Sequence, residues 1–347
     1  MNRPLIIAAT AALAITACSS DEPDSLRLLA YESFPDDPDG PIALALDEFT
    51  AETGVEVDVV ISGDTGTMVS SAALTAGNPE ADVIWGIDNT FLSRAIEADI
   101  FEPYEANGLD AIPDELTGMV TEFEATPVDF GDVCLNYDIG ALDRADIAPP
   151  TSFGDLLQPE FSGRLVVQNP GTSSPGLAFL LATIAAYGEE GWEDYWRGLR
   201  ANDVKVVNGW TEAYYGDFTR AGGERPLVVS YGSSPPFEVL FAEEPLDEAA
   251  SDVVESTCFR QVEFAGVLRG TDTPESAGRL IDFLISERFQ REIPLNLFVF
   301  PANESVELDP IFTQFATIAD DPVAIDPMLI DANRTDWIER WNAAVLR

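Results

Sequence analysis

Hydrophobic and polar positions follow two different spacings along the first third of the chain. Apolar residues at every second position predict strands, and apolar residues three or four positions apart predict helices. The predicted elements are, in order, a strand in "LRLLAYESF", a helix in "IALALDEFTAETG", a strand in "VEVDVVISGD", a short helix in "MVSSAALTAGNP" and a strand in "ADVIWGIDN". This order predicts an α/β fold with a parallel or mixed sheet covered by helices.

A second series of elements follows in the middle of the chain. It comprises a strand in "RLVVQNP", a helix from Pro175, a helix around "GWEDYWRGLRAN", and strands in "VKVVNGW" and "PLVVSYGSSP". The segment "NPGTSSPGLAFLLATI" predicts Ser174 as a helix N-cap and Pro175 as the first helical residue. Unpaired N–H groups at this helix start, with the hydroxyls of Ser173 and Ser174, suit a phosphate or a carboxylate. Simple capping of the helix is the alternative.

Aromatic and acidic residues stand where the predicted strands end. In open α/β sheets, ligands bind beyond the carboxyl ends of the strands. The residues at those ends are Tyr31, Asp64, Asp88, Asn89, Trp210 and Tyr231. Aromatic faces attract cations and carboxylates pair with them, so the set indicates a planar, cationic ligand. Each aromatic side chain taken singly is also explained by packing.

The start of the chain predicts export. Arg3 precedes the apolar run "LIIAATAALAI", which is too short to cross a bilayer as a mature helix and is typical of a secretory signal. The segment "ITAC" that follows is similar to the lipobox of bacterial lipoproteins. We therefore expect residues 1–17 to be a signal peptide, Cys18 to carry lipid and residues 18–25 to form a tether. The protein would then be anchored on the outer side of the cytoplasmic membrane or in the periplasm. An ordinary signal peptide with an incidental cysteine is the alternative.

Acidic residues strongly outnumber basic ones. The chain has 62 Asp and Glu against 18 Lys and Arg, for a formal net charge of −44. This charge argues against nucleic acid and anionic membrane surfaces as partners, and it would steer a cationic ligand towards the protein. A solvated surface suited to high salt, or to colloidal solubility, also accounts for most of it. Acidity therefore constrains the environment more than the function.

The cysteine and histidine content limits the chemistry. After Cys18, only Cys134 and Cys258 remain, and in an exported protein an even pair predicts a disulfide, with two buried free thiols as the alternative. The chain has no histidine, which excludes Ser-His and Cys-His nucleophiles and histidine-based zinc sites. Gly-x-Ser-x-Gly and Ser-x-x-Lys motifs are also missing from the sequence. We therefore expect a binding protein with no catalytic residue, cofactor or metal site.

Several segments together resemble the thiamine-binding substrate-binding proteins of ABC importers. They are "LLAYESF", "ADVIWGIDNTFLSRA", "NPGTSSPGLAFLL", "VVNGWTEAYYGDF", "LVVSYGSSPPFEVL", "FRQVEFAGVL" and "FQREIPLNLFVFPAN". The resemblance runs from about residue 26 to the C-terminal helix "DWIERWNAAVLR". It implies the type II periplasmic-binding-protein fold, with two α/β lobes, a ligand cleft between them and two crossing hinge strands. It also implies a monomer that captures thiamine, thiamine monophosphate or thiamine diphosphate for a membrane permease energised by a separate ATPase.

The resemblance also implies domain boundaries. They are lobe 1 over residues 26–130 and 263–310, lobe 2 over residues 131–262, and C-terminal helices over residues 311–347 that pack on the lobes. The segments "PVDFGDVCLNYD" and "CFRQVEFAGVL" match the two crossing strands of the family. If these strands run side by side, Cys134 and Cys258 lie near each other and cross-link the hinge.

Residue by residue, the resemblance implies how the cleft binds its ligand. Tyr31 matches a tyrosine that stacks on the ligand ring, and Asp64 matches an acid in the cleft. Trp210 and Tyr231 match two facing aromatic walls. The implied ligand-binding residues are Tyr31, Asp64, Asp88, Ser173, Ser174, Trp210, Tyr214, Tyr231 and Phe298.

Three of these positions bear on specificity. Ser173 and Ser174 match hydroxyls near the phosphate or hydroxyethyl end of the ligand. At Phe298 we expect the family to have a tryptophan, whose larger face and N–H group a phenylalanine lacks. This departure bears on fine specificity more than on the class of ligand.

Other functions remain open from the sequence. Within the same transporter superfamily, Tyr214 and Tyr215 form a tyrosine pair of the kind that iron-binding relatives use. Tyr214 follows Trp210 by four residues, however, and shares its face of a helix. The many acidic residues suit a polyamine, whereas the loop with Ser173 and Ser174, which suits a phosphate, does not. Outside transport, the alternatives are a sensor or a structural envelope lipoprotein, and a secreted enzyme such as an esterase or a thiaminase, whose cysteine nucleophile would have to be Cys134 or Cys258.

Overall fold

The computed structural model describes residues 25–242 and 246–347, so the predicted signal peptide, Cys18 and nearly all of the tether lie outside the described residues. The strands are β1 (Ser25–Ala30), β2 (Glu56–Ile61), β3 (Val83–Asp88), β4 (Phe101–Glu102), β5 (Thr126–Asp138), β6 (Leu165–Gln168), β7 (Lys205–Val207), β8 (Leu227–Tyr231), β9 (Ser251–Leu268) and β10 (Phe300–Pro301). The α-helices are α1 (Pro41–Thr53), α2 (Thr65–Leu74), α3 (Leu92–Glu97), α4 (Asp114–Thr117), α5 (Ile139–Ala145), α6 (Ser174–Ala201), α7 (Pro235–Leu240), α8 (Pro274–Leu284), α9 (Glu287–Gln290), α10 (Ile293–Asn296), α11 (Pro310–Phe315) and α12 (Pro327–Val345). Short 3-10 helices cover Leu109–Ala111, Phe153–Leu157, Pro159–Phe161 and Thr219–Ala221, and a π-helix covers Glu212–Asp217.

The strands form an open, mixed sheet. Its order is β2-β1-β3-β9-β5-β8-β6-β7. At one end β1 pairs in parallel with β2 and β3, and at the other end β6 pairs in parallel with β7 and β8. Between these two halves, β9 and β5 run antiparallel to each other and to their outer neighbours. The α/β class predicted from the alternation of strands and helices is confirmed.

Two long strands carry the chain between the halves of the sheet. β5 has 13 residues and β9 has 18, and they contain the two segments predicted to cross the hinge. Their register extends from Thr126 opposite Ala265 to Asp138 opposite Ser251. The predicted side-by-side arrangement of the crossing strands is therefore confirmed.

A disulfide joins the two crossing strands. Cys134 on β5 and Cys258 on β9 are bonded, with their Cα atoms 4.1 Å apart, and neither side chain is exposed. The segment before α12 covers this bond, because the N–H of Val323 donates to the carbonyl of Cys258 at 2.7 Å. The predicted pairing is confirmed, and the alternative of two free thiols is wrong.

Glycines break the helices where the sequence pattern predicted breaks. Gly54 ends α1 with a φ of 77°, in the left-handed region that glycine enters without a Cβ penalty. Within α6, Gly188 is non-helical, with a φ of 70° and a ψ of 171°. The two predicted helices of this region are therefore the two halves of α6, joined by a kink.

The start of α6 differs by one residue from the prediction. Ser173, not Ser174, is the N-cap, and Ser174 is the first helical residue, followed by Pro175. The hydroxyl of Ser174 is taken by the carboxylate of Asp88, so it is not free to cap the helix. Proline is tolerated throughout the first turn, where its missing N–H has no helical partner, so the sequence pattern did not distinguish the two starts.

The C-terminal helix α12 contacts both halves of the molecule. Trp341 packs edge-on against Trp196 of α6, with ring centroids 5.4 Å apart. Arg334 donates to the hydroxyl of Ser93 at 2.9 Å, on α3 of the other half. No helix in the described ranges has both the length and the apolar character needed to cross a membrane.

Candidate functional site

A cavity of about 190 Å³ lies between the two halves of the sheet. The half with β1 to β3 contributes Tyr31 after β1 and Asp64 at the start of α2, and the crossing strand β9 contributes Glu263. The opposite wall is mainly aromatic. The remaining lining residues of the cavity, from both halves, include Ser174, Trp210, Tyr214, Tyr215, Tyr231, Phe237, Phe241 and Phe298. The cavity therefore combines aromatic rings with carboxylates.

Asp64 connects the two walls of the cavity. It is the N-cap of α2, where its Oδ1 accepts the N–H of Thr65 at 2.7 Å. Its Oδ2 accepts the N–H of Trp210 from the other wall at 3.1 Å, and the N–H of Ser174 lies 3.5 Å from Oδ1. Burial raises the pKa of this carboxyl, and the Ser173 hydroxyl beside it and these backbone donors oppose the rise. One carboxylate thus holds the closed side of the cleft together.

The loop before α6, predicted to receive an anion, holds a carboxylate of the protein itself. The N–H of Ser174, at the positive end of α6, points at Asp64. The carbonyl of Thr172 in the same loop accepts the N–H of Gly66 across the cleft at 3.0 Å. The loop is therefore already occupied on the side that the sequence analysis assigned to a phosphate or a hydroxyethyl group.

Asp88 is fully buried behind the cavity wall. It accepts hydrogen bonds from the hydroxyls of Ser174 and Thr90 and from the N–H of Phe91. Burial raises the pKa of Asp88 to about 6, although these donors oppose the rise. Asp88 therefore positions Ser174 and does not line the cavity itself.

Trp210 and Tyr214 form one stacked unit. Their ring centroids are 4.9 Å apart with an angle of 15° between the planes. The indole N–H of Trp210 donates to the Ser230 hydroxyl at 2.9 Å, which fixes the ring in its plane. The predicted sharing of a face by Trp210 and Tyr214 is confirmed, although Tyr214 lies in the π-helix and Trp210 precedes it.

Phe298 belongs to a cluster of phenylalanines on the rim of the cavity. Its backbone has a φ of 56°, which is rare for a residue with a side chain, and its carbonyl accepts the Ser233 hydroxyl at 2.6 Å. Its ring packs edge-on against Phe237, with centroids 5.2 Å apart, and Phe241 lies beyond. Phe237 of α7 and Phe241 just after it were not predicted, because the local pattern alone does not distinguish rim residues from core residues.

Glu263 is a further residue of the cavity that was not predicted from the sequence. Its side chain is 7% exposed and lines the cavity, and it stands opposite Asp129 on β5. The segment "FRQVEFAGVL" held the signal, since strand alternation places Glu263 on the same face as Gln261. A glutamate in the middle of a buried strand is unusual without a partner.

The cavity brings together most of the residues predicted from the resemblance. Asp88 and Ser173 do not line it, and both are buried behind its wall. The predicted residues that do line it are Tyr31, Asp64, Ser174, Trp210, Tyr214, Tyr231 and Phe298. Their contact with a ligand stays a prediction.

Comparison with known proteins places this architecture in a family. Residues 78–314 match the model of the family described as bacterial extracellular solute-binding protein. A thiamine-binding periplasmic protein of Salmonella typhimurium is 31% identical over 323 residues, covering 93% of this chain and 94% of the relative. One of Escherichia coli is 30% identical over 322 residues, with the same coverage.

A solved structure, titled periplasmic thiamin binding protein, superposes with a TM-score of 0.81 at 27% identity and covers 93% of this chain and 96% of its own. The predicted type II periplasmic-binding-protein fold is confirmed by this match, together with the open mixed sheet and the two crossing strands. The chain belongs to the bacterial extracellular solute-binding proteins, and the predicted resemblance to their thiamine-binding members is confirmed.

Proposed function

We propose that this protein captures thiamine outside the cytoplasm and delivers it to an ABC permease that a separate ATPase energises. The observation that carries the proposal is a cleft in which aromatic rings surround the carboxylates Asp64 and Glu263. The thiazolium ring of thiamine is planar and carries a fixed positive charge, so it suits both kinds of group. Relatives named thiamine-binding periplasmic proteins match over more than nine-tenths of this chain, which supports the same ligand.

Each proposed contact has a separate physical role. Tyr31, Tyr231 and Trp210 line the cavity together with the carboxylates and offer aromatic rings to the ligand. A desolvated cation–π contact contributes about 2 kcal/mol or more, and an exposed one about 0.5 to 1 kcal/mol. Asp64 and Glu263 supply the negative charge that distinguishes a thiazolium from a neutral pyrimidine.

The charge of the cavity favours thiamine over its phosphates. Each phosphate group would add negative charge beside Asp64 and Glu263, and the N–H groups at the start of α6 already face Asp64. Ser174 donates its hydroxyl to Asp88 and is not free to bind a phosphate without losing that bond. We therefore expect affinity to fall in the order thiamine, thiamine monophosphate, thiamine diphosphate.

Calorimetric titration tests the ligand. Protein that has been unfolded, washed free of ligand and refolded is titrated with thiamine and its two phosphates, and circular dichroism confirms that it is folded. One-to-one thiamine binding with a submicromolar Kd is expected, and a Kd of 1 μM corresponds to about −8.2 kcal/mol. No heat with any of the three compounds would contradict the proposal.

Gly86 controls the orientation of Tyr31 in the proposed site. Its φ is 107°, and a Cβ built there would lie 2.2 Å from Cδ1 of Tyr31. Gly86→Ala is therefore expected to displace the ring and to weaken thiamine binding by about tenfold, the equivalent of about 1.4 kcal/mol. Gly191→Ala is the matched control, since its Cβ would make only an ordinary contact at 3.4 Å. Equal thiamine affinity in the two variants would show that Tyr31 does not hold the ligand.

Ferric iron fits this cleft less well. The hydroxyl of Tyr214 is buried and donates to Glu238 at 3.3 Å, and burial holds the pKa of Tyr214 well above its ordinary value. A tyrosinate ligand is therefore costly at this position. Within the described ranges, no group of three acidic, cysteine or histidine side chains is arranged to hold a metal ion. A visible absorption band on adding ferric salts would favour iron, and tight polyamine binding would favour that alternative.

The proposal includes the location of the protein. We expect an exported monomer held in the cell envelope by lipid on Cys18, with residues 1–17 removed as the signal peptide. Lobe 1 over residues 26–130 and 263–310 and lobe 2 over residues 131–262 would close around the ligand by rotation at β5 and β9. Closure of this kind is how periplasmic binding proteins enclose their ligands. The protein binds and releases its ligand without changing it.

A further inference from the structure

Three carboxyl groups form a row across the middle of the sheet. Asp88 on β3 stands directly opposite Glu263 on β9, and Glu263 stands directly opposite Asp129 on β5. Side chains of directly opposed residues lie on the same face of a sheet, with Cβ atoms about 4.5 to 5.5 Å apart. Like charges at this spacing repel each other, so the row is unusual in a folded protein.

Two members of the row lack a full set of hydrogen bonds. Oε1 of Glu263 accepts the Gln261 amide at 2.9 Å, whereas its Oε2 has no partner among the described residues. Oδ2 of Asp129 accepts the Trp85 indole N–H at 3.1 Å, whereas its Oδ1 likewise has no partner there. Glu263 is 7% exposed and Asp129 is not exposed at all. A buried carboxylate oxygen without a donor is costly unless a proton or a cation satisfies it.

The groups that face Glu263 are carboxyl groups or neutral phenols and supply no compensating cation. They are Asp88 from β3, Asp129 from β5, Asp64 from the start of α2, Tyr31 after β1 and Tyr231 of β8. Across residues 25–242 and 246–347, no Arg or Lys lies within ion-pair distance of these four carboxyl groups. Arg334 approaches Asp88 but donates to the Thr90 carbonyl and the Ser93 hydroxyl.

Burial and the facing carboxyl groups therefore favour protonation of the row. Burial raises the pKa of Asp129 to about 7. Burial also raises the pKa of Glu263 well above its ordinary value, and the neighbouring charges of Asp129 and Asp88 add to the rise. Two interacting carboxyl groups share their protons, so the titration belongs to the pair.

We propose that the row of Asp88, Glu263 and Asp129 holds a proton in the empty cleft and releases it when a cationic ligand binds, with Glu263 as the carboxylate that meets the cation. This inference rests on the proposed function, since it takes thiamine as the cation. The neutral acid becomes a carboxylate, the proton passes to solvent, and the positive charge of the thiazolium replaces it. Binding of thiamine therefore strengthens as the pH rises.

Calorimetry in two buffers of different ionisation enthalpy, repeated between about pH 6 and about pH 8, measures the protons released. For the wild-type protein we expect about one proton per thiamine near pH 7, and a Kd that falls by up to tenfold per pH unit. Glu263→Gln is expected to abolish the release and to weaken binding about tenfold at the upper pH, with little effect at the lower pH. Any protons that thiamine itself releases are the same for the wild-type protein and for Glu263→Gln, so they do not contribute to the difference between the two.

Two more variants test whether the effect comes from the carboxyl groups of the row or from the net charge of the protein. Glu255→Gln removes an exposed glutamate of the same strand β9 and is expected to leave both proton release and affinity unchanged. Asp129→Asn keeps an oxygen for the Trp85 N–H and removes the charge that faces Glu263, so the pH dependence is expected to move to lower pH. If Glu255→Gln shifts the pH dependence of thiamine binding in the same way, the shift comes from the net charge of the protein, and the inference is overturned.

A measurement without ligand keeps this inference distinct from the proposed function. Infrared difference spectra of the empty protein are expected to show the C=O stretch of a protonated carboxyl group near pH 7, and Glu263→Gln is expected to remove it. Thiamine binding without proton release would overturn the inference and leave the proposed function intact. If no thiamine binds, the proposed function fails and the release step fails with it, while absence of the infrared band would separately show that the row holds no proton.

Discussion

Asp64→Asn is expected to weaken thiamine binding by about 100-fold, the largest effect on affinity of any substitution considered. The carboxylate supplies charge to the cavity and accepts N–H groups from Thr65 on its own side and Trp210 on the other. An asparagine turns one of these acceptors into an NH₂ group that opposes a donor. Hydrogen bonds to charged groups contribute about 1.5 to 3 kcal/mol, and 100-fold in Kd is about 2.7 kcal/mol.

Thiamine titration and small-angle X-ray scattering together test this prediction. Asp58→Asn is the matched control, because Asp58 is an exposed aspartate on β2 of the same half of the sheet. Asp64→Asn is expected to give a larger radius of gyration than wild type with saturating ligand, since it loses the contact that joins the two walls. An unchanged Kd and an unchanged radius would show that Asp64 is dispensable for both charge and closure.

Removal of the disulfide is expected to give the largest loss of stability. The bond between Cys134 and Cys258 closes a loop with a sequence separation of 124 residues, and a cross-link of that span restricts the unfolded chain strongly. Loss of a native disulfide typically costs about 2 to 5 kcal/mol, and a long loop lies towards the upper end on the chain-entropy model. Replacing both residues by alanine is therefore expected to lower the free energy of unfolding by about 4 kcal/mol and to reduce the midpoint of urea unfolding.

The two single alanine variants serve as controls for packing. Each also breaks the bond, so each should lose about as much stability as the double variant when a reductant keeps the remaining thiol free. Both side chains are fully buried and pack beside Ala319, which leaves a small cavity in either case. An unchanged urea midpoint in the double variant would show that the close pairing of β5 and β9 restrains the chain without the bond.

The local pattern of apolar and polar residues was sufficient to predict strands and helices of the fold. The alternation in "VEVDVVISGD" and the helical spacing in "IALALDEFTAETG" correspond to β2 and α1, and Gly54 ends that helix as predicted. These features depend on neighbouring residues only, because strand and helix periods place apolar side chains on one face regardless of what covers them. The one-residue error at Ser174 arose because a distant residue, Asp88, takes its hydroxyl.

Only part of the candidate site could be predicted from the sequence. Tyr31, Asp64 and Trp210 were predicted because ligands gather at strand ends and because the chain resembles a family of binding proteins. Glu263 and Asp129 were missed, since each lies within a long strand and not at its end. Phe298 was predicted as a ligand-binding residue in place of a tryptophan, and its packing in a cluster with Phe237 was not predicted.

Local pattern and composition were enough for the α/β class, for the order of the strands and helices that were predicted, and for the acidity of the molecule, and the resemblance indicated the class of protein. The three-dimensional fold was needed to show that Asp64 links the two walls of the cleft and that Glu263 stands between Asp88 and Asp129. The reason is that register between β3, β9 and β5 joins residues more than a hundred positions apart. Burial at that meeting point then sets the charge of each carboxyl group, which the sequence pattern does not encode.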